Sequence, residues 1–551
     1  MTNAQDKRPE RTTRSTPAAV GAKTVQRLRA RFAWAALESP SLTVAFWLAV
    51  ALFAAAFLVT PLPPSIDYPQ HLALGAIMGR LLDPTSPEHQ LYAVTLLTYN
   101  GLFHVLVAGL SLLMQPETAG KLLLVAVVVL TAAAGLGLAR VGGRPRWYAF
   151  FLLPFSYGHI VGWGFVNYAL AAPLALLTWC WWLRWRDGER HLGWRVAIAA
   201  LLVAYAHVLA TACLCLSVAL AQVYTRSPRE AGGRVWIRDL LRAPVPLLPA
   251  AAFSILVFVH HRAAPHIFWE PFKDGTDSPA WEKLWYLASF SVSNFSDASD
   301  QTLFWCALGL LAVLLLAPLG LEPASGTAPR RELVGLAISW FLLYLVVPRV
   351  LMSTWYIFER LPIWWLGFAV GCAPIARPSL AVPIRRLVAA VGLVAGLNTA
   401  YHFHVIPDAH DASAIIDEIP ANARVAPVMY HSDGHPALWR RIWIHLAAYH
   451  VVRRPGELAF SFTLYASLPV RYRENQAKPG YYRGLEWNPD QYDPTAPYAR
   501  YFDTVLVSTP DDAPDVDPRQ RAFGYYAPWV RLMARHGRFY LYDASGIHAA
   551  R

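Results

Sequence analysis

Cysteine is sparse in this chain and poorly placed for chemistry. The five cysteines, Cys180, Cys213, Cys215, Cys306 and Cys372, all lie inside apolar runs, with no C-x-x-C pair and no histidine at zinc-finger spacing. Neither a disulfide framework nor a thiolate metal site follows, and the cysteines read as small buried hydrophobes. Also missing is any interleaving of aromatic and basic residues suited to nucleic acid, although the formal charge is +12. The arginines collect instead in short loops between apolar segments, as they do in cytoplasmic loops of membrane proteins. The apolar segments show no internal repeat.

Hydrocarbon is what the chain has in abundance. Apolar residues make up 56% of 551 positions. Segments near 20 apolar residues recur through most of the first four hundred positions, and each is long enough to cross a bilayer. The expected architecture is mainly α: a polytopic membrane helical bundle of about 11–13 helices, followed by a C-terminal soluble α/β domain.

Residues 1–40 read as a disordered basic tail whose charge holds it in the cytoplasm. The run Leu42–Thr60 follows as an uncleaved signal anchor. The multi-pass domain then extends over 41–405, and its first extracytoplasmic loop, 61–98, emerges on the far side of the inner (plasma) membrane. Further apolar runs include 100–114, 121–139 and 147–160. Two full helices between Asp67 and "RVGGRPR" (140–146) would put that basic loop outside, so either the charge rule fails there or one segment is a half-helix.

Past residue 405, leucine-alanine runs give way to proline, aspartate and tyrosine, with basic and acidic residues in balance. Residues 406–551 read as an α/β domain, with strands in 502–510 and 539–545 and helices at 413–419 and 437–450. Twelve crossings would leave it in the cytoplasm. An odd number places it outside, which is favoured because the basic loop Arg377–Arg386 needs one more span after it.

Polar residues gather at the ends of apolar runs. "IDYPQH" holds Asp67 and His71; His104 follows "TYNG"; "PFSYGHIVGWGFVNY" holds His159 and Asn167; "AYAH" ends in His207; "HHRAAPHIFWE" holds His260, His261, His266 and Glu270. Ionisable groups at membrane depth are costly and mark pathways or sites. A single membrane histidine nonetheless serves more often as a helix–helix hydrogen-bonding group than as a ligand. Asp67 has two compatible readings. "D-Y-P-Q" fits a helix start in which Gln70 reaches back, and the same carboxylate can act as a base or hold a divalent cation. Later, "RVLMSTWYIFERLP" places Arg349, Glu359 and Arg360 between two spans. They suit either interfacial anchoring or a guanidinium fork for phosphate oxygens.

This arrangement resembles the GT-C superfamily of integral membrane glycosyltransferases: an acid in the first extracytoplasmic loop, about a dozen helices, broken helices, a late arginine and a soluble C-terminal domain. The resemblance implies transfer of a sugar from a polyprenyl-phosphate donor to a glycan, lipid or protein acceptor outside the cytoplasm. Asp67 would then be catalytic base or metal ligand, assisted by His71. Arg360, with Arg349 second, would bind the donor phosphate, and His159, His207 and Glu270 would line the substrate cavity. Many members carry a second acid two positions after the first. Here that position is Pro69, which argues against metal dependence; any cofactor would be Mg²⁺ or Mn²⁺ on Asp67. The competing readings are a transporter or flippase, which would also explain broken helices, and a membrane scaffold with a partner-binding C-terminal domain. Convergence of Asp67, the histidines and Arg360 on one cavity separates the transferase from both.

Overall fold

The computed structural model describes residues 36–225, 232–262, 278–316, 328–351, 354–375, 378–406, 408–430, 438, 440–465, 467–473, 484–509 and 516–549. The first span, Pro40–Val59, begins where Ser39 accepts a hydrogen bond from Leu42 N and Pro40 takes the first helical position. It stops at Thr60 because Pro61, Pro63 and Pro64 cannot continue a helix. Lys121 Nζ then donates to the freed Thr60 carbonyl at 2.6 Å, a basic cap on a helix C-terminus.

Among the described residues, seven helices are long and apolar enough to cross a membrane: Pro40–Val59, Pro116–Val141, Val166–Arg186, Val208–Thr225, Gly233–His260, Ser299–Leu316 and Ser379–His404. The chain is a multi-pass membrane protein. Four shorter apolar segments, Arg146–Tyr157, Gly193–Ala206, Arg331–Val346 and Pro362–Cys372, run between the same two ends of the bundle. One end carries the basic loops, tied by Arg186–Glu332 (2.8 Å) and Arg330–Asp187 (2.7 Å) ion pairs. The other carries Asp67, His159, His207 and Arg360. The alternation leaves Pro40 at the basic-loop end and the C-terminal region at the Asp67 end.

The awkward crossing count has a simple resolution. Of 100–114 only Leu102–Leu110 is helical, about 14 Å of helix, which is too short to cross a bilayer. It lies instead against Tyr68–Arg80, so closely that a Cβ at Gly75 would stand 2.6 Å from Val107 Cβ. Only Pro116–Val141 crosses between Asp67 and the loop 140–146, which therefore sits with the other basic loops.

The next pass is not the ordinary helix that an apolar 147–160 suggests. Arg146–Tyr157 is a twelve-residue 3₁₀ helix, with Pro154 inside it. At about 2.0 Å per residue it covers about 24 Å, where an α-helix of equal length would cover about 18 Å. Its ends are fixed: Arg146 Nη1 donates to Ala36 O (2.6 Å), and Tyr157 Oη donates to Pro64 O (2.6 Å). Trp147 through Leu153 are buried by neighbouring helices, so the poorer 3₁₀ hydrogen bonds never face lipid.

The C-terminal region builds a mixed five-stranded sheet, order β3-β2-β5-β7-β6, from β2 (Arg424–Met429), β3 (Glu457–Leu458), β5 (Thr504–Ser508), β6 (Arg531–His536) and β7 (Phe539–Asp543). β2 is parallel to β3 and β5, and the β5–β7 and β7–β6 pairs are antiparallel. β5 and β7 occupy the two expected strand segments, and the helix expected at 413–419 forms as Asp408–Asp417. In 437–450 the only helical turns begin at Ala448, among the described residues, because turns fill 442–447. Two features join this region to the membrane part. β1 (Tyr92–Val94), from the loop after Asp67, pairs antiparallel with β4 (Val470–Tyr472), and Arg453 bonds Glu117 at 2.7 Å.

Candidate active site

Asp67 is placed by backbone. Ile66 N and Asp67 N donate to Gly162 O (3.1 Å) and Trp163 O (3.0 Å), and Ser65 Oγ donates to Val161 O (2.6 Å). Gly164 makes this approach feasible, with φ near +90°; a Cβ there would meet Tyr68 N at 2.4 Å and Asp67 N at 2.6 Å. Asp67 sits at the N-cap of Tyr68–Arg80, but its side chain makes no capping bond. The carboxylate therefore remains available for other partners.

Gln70 does not reach back either. Its Nε2 donates to Phe460 O and its Oε1 accepts from Phe462 N, both at 3.2 Å, like one more rung of a sheet. That clamp brings His445 over the loop. His445 Nε2 lies 3.3 Å from Asp67 Oδ1, and its ring stacks on Phe460 at 5.1 Å. His445 is buried, whereas the Asp67 side chain keeps 19% exposure. Sequence reasoning did not single out His445 or Arg440, and it gave Gln70 only a reach back to its own helix start. The trace of the first two was a pair of polar residues in the apolar run "WRRIWIHLAAY".

His71, the expected helper of Asp67, faces elsewhere. Its Nδ1 contacts His104 Nε2 at 3.0 Å and its ring meets Phe462 edge-on. Burial pushes it down to about 4, against the opposing pull of Asp67, so it stays neutral near pH 7. Asn167 accepts from Phe103 N at 2.9 Å and braces the same region.

Arg360 lies in a buried turn, Phe358–Arg360. Its Nη1 donates to His207 Nε2 (3.0 Å), its Nη2 to Trp355 O (3.3 Å), and the guanidinium covers the Phe165 ring at 4.4 Å. Arg360 Nε has no hydrogen-bond partner among the described residues. Burial lowers it to about 10, with Asp67 and Glu359 pulling the other way, so it remains a cation within Coulombic reach of Asp67. Arg349 pairs with Glu359 at 2.7 Å and lies over Tyr356 at 5.0 Å. Burial raises Glu359 to about 7, opposed chiefly by Arg349. His159 Nδ1 accepts from Arg440 Nη2 at 2.8 Å, and Arg440 covers the Trp163 ring at 5.1 Å. Tyr356 packs 4.5 Å from Trp163 in a left-handed backbone conformation (φ 61°) that a bulky residue adopts only under restraint.

Asp67, His159, His207, Arg349 and Arg360 thus gather at one end of the bundle; Glu270 lies outside the described residues. A narrow pocket of about 30 Å³ opens beside Arg360; its lining includes Glu359, Arg360 and Tyr168 together with the apolar Val127, Ile160, Ala172 and Ile363. The donor set at Asp67 does not suit Mg²⁺ or Mn²⁺: one carboxylate and one imidazole, with an arginine in reach. Among the described residues no three His, Cys, Asp or Glu side chains are grouped for a metal.

Solved structures resemble this chain in fold. ArnT from Cupriavidus metallidurans in the apo state superimposes with a TM-score of 0.52 at 13% identity, covering 91% of this chain and 98% of ArnT. ArnT bound to undecaprenyl phosphate gives 0.54 at 12% identity, with 92% and 98% covered. The chain has the ArnT fold. That fold agrees with the expected membrane helical bundle followed by a C-terminal α/β region. No family model and no curated protein matches the chain.

Proposed function

We propose that the protein is a membrane glycosyltransferase that takes a sugar from a polyprenyl-phosphate donor, in the manner the ArnT-like fold supports. The observation that carries the reading is that Asp67 and the buried Arg360 lie at the same end of the bundle, with a pocket of mixed polar and apolar lining beside Arg360. Arg360, still cationic and with Nε unengaged, holds the donor phosphate, while the prenyl chain follows Val127, Ile160, Ala172 and Ile363. Arg349 and Glu359, already paired, position the turn that presents Arg360.

Asp67 acts as base, oriented by His445. The acceptor hydroxyl oxygen bonds to the anomeric carbon as the bond from that carbon to the phosphate oxygen breaks. The bonding pair leaves with the polyprenyl phosphate and the hydroxyl proton passes to Asp67, so the sugar is transferred with inversion. The Asp67 end and the C-terminal domain face the extracytoplasmic side of the inner membrane, and the N-terminal tail faces the cytoplasm, because the arginine-rich loops occupy the other end. The acceptor, a glycan, lipid or protein, enters between the first loop and the C-terminal domain, beside Trp163 and Trp487.

Purified protein in nanodiscs, given a polyprenyl-phosphate sugar labelled in the sugar and an envelope extract as acceptor source, should move label out of the lipid-linked fraction. Label that stays with the carrier but crosses the bilayer of a sealed vesicle would instead establish a flippase.

A further inference from the structure

A second cavity lies at the end of the bundle remote from Asp67. It is an open cavity of about 350 Å³ beneath the helix Gly233–Arg242, against the ends of Val166–Arg186 and Val208–Thr225. The overlying helix has no buried residue and is amphipathic: Ile237 and Leu241 project outward on one face, while Arg238 and Asp239 pair with each other on another. In a protein embedded in lipid, that apolar face meets acyl chains at the interface.

The lining is cationic in balance. Asp187 is engaged by Arg186 and Arg330, and Arg186 is further held by Glu332. Arg190 and Arg242 also line the cavity, and neither has an acidic partner among the described residues. Arg190 instead stacks over Trp185 at 5.0 Å, beside Trp236 of the overlying helix. Two unneutralised guanidiniums with indole rings, under a helix whose apolar face points to lipid, match a phosphodiester headgroup whose tails leave toward the bilayer.

We propose that this cavity is a binding site for an anionic phospholipid, with Arg190 and Arg242 on the headgroup phosphate. The bound lipid fills the space beneath Gly233–Arg242 and anchors that helix to the ends of its two neighbours. The site is separate from the donor pocket and does not depend on the transfer reaction.

Native mass spectrometry of the full-length protein in detergent, titrated with dioctanoyl phosphatidylglycerol or dioctanoyl phosphatidylcholine, tests this. Wild type should retain phosphatidylglycerol preferentially. Affinity should fall about fivefold for each of Arg190→Gln and Arg242→Gln, the size expected for one basic residue at a membrane surface. Arg195→Gln, at the same end but outside the cavity, should change nothing. Equal retention of the two lipids by wild type overturns the proposal, as does an equal loss in Arg195→Gln, which would mean only diffuse surface charge. Displacement of the lipid by millimolar inorganic phosphate alone would mark a free-anion site and overturn the lipid assignment. The wild-type lipid preference stands as a separate test if either variant fails to fold.

Discussion

Gly164→Ala should damage a reaction in which Gly164 takes no chemical part. A Cβ there would stand 2.4 Å from Tyr68 N and 2.6 Å from Asp67 N, where ordinary contact begins near 3.4 Å. The obstructing atoms are backbone, so the Asp67 segment must retreat by about 1 Å. That movement strains the bonds from Asp67 N to Trp163 O and from Ile66 N to Gly162 O. The left-handed φ adds about 1–2 kcal/mol of strain for any L side chain. A catalytic group displaced by about 1 Å commonly costs about 10²-fold in rate. Turnover of labelled donor should therefore fall about a hundredfold while the protein still folds with a modestly lower Tm. Gly109→Ala is the matched control, because a Cβ there meets nothing within 4 Å and alanine suits its helix. A Gly164→Ala enzyme within threefold of wild-type kcat would refute the claim that the 162–164 turn positions Asp67.

Arg360→Lys keeps the charge but loses the fork; one lost charge-assisted bond, about 1.5–3 kcal/mol, predicts a 10- to 150-fold fall in kcat/KM for the donor, and unchanged constants would reduce Arg360 to an anchor. Gln70→Ala leaves Phe460 O and Phe462 N without their buried partner, so limited proteolysis should release the C-terminal region more readily at about 2–4 kcal/mol of lost docking; an unaltered digestion pattern would contradict the clamp. Glu359 has a folded pKa near 7, raised by burial, so the native state binds more protons than the unfolded chain between about pH 4.5 and 7; its contribution to stability declines over that window as pH rises, and Glu359→Gln should flatten the slope of Tm against pH.

The membrane architecture was legible because hydrophobic length is a one-dimensional signal. The basic loops gather at one end of the bundle, and the misplaced "RVGGRPR" left a half-helix as one of two readings, the other being a local break of the charge rule. The 3₁₀ pass was not legible: a segment apolar on every face carries no period to distinguish three residues per turn from 3.6. Asp67, Arg360, His159 and His207 stood out because polar residues ending apolar runs are rare. His71 was paired with Asp67 through helical spacing alone, and spacing says nothing of His104 approaching from another helix. His445 and Gln70 were hidden for a related reason. Their roles arise from contacts across more than 350 residues of chain, made when the C-terminal region folds onto the first loop.

The central claim is that Asp67 removes the acceptor proton, and Asp67→Asn tests it most directly. Asparagine preserves size and the backbone bonds that place the loop, but it cannot accept a proton at neutral pH. Donor binding to the variant, followed with labelled polyprenyl-phosphate sugar, should match wild type, while transfer to acceptor should fall by about 10²–10⁴-fold, the range typical of general-base loss. Transfer at the wild-type rate in a folded, donor-binding Asp67→Asn protein would contradict the account.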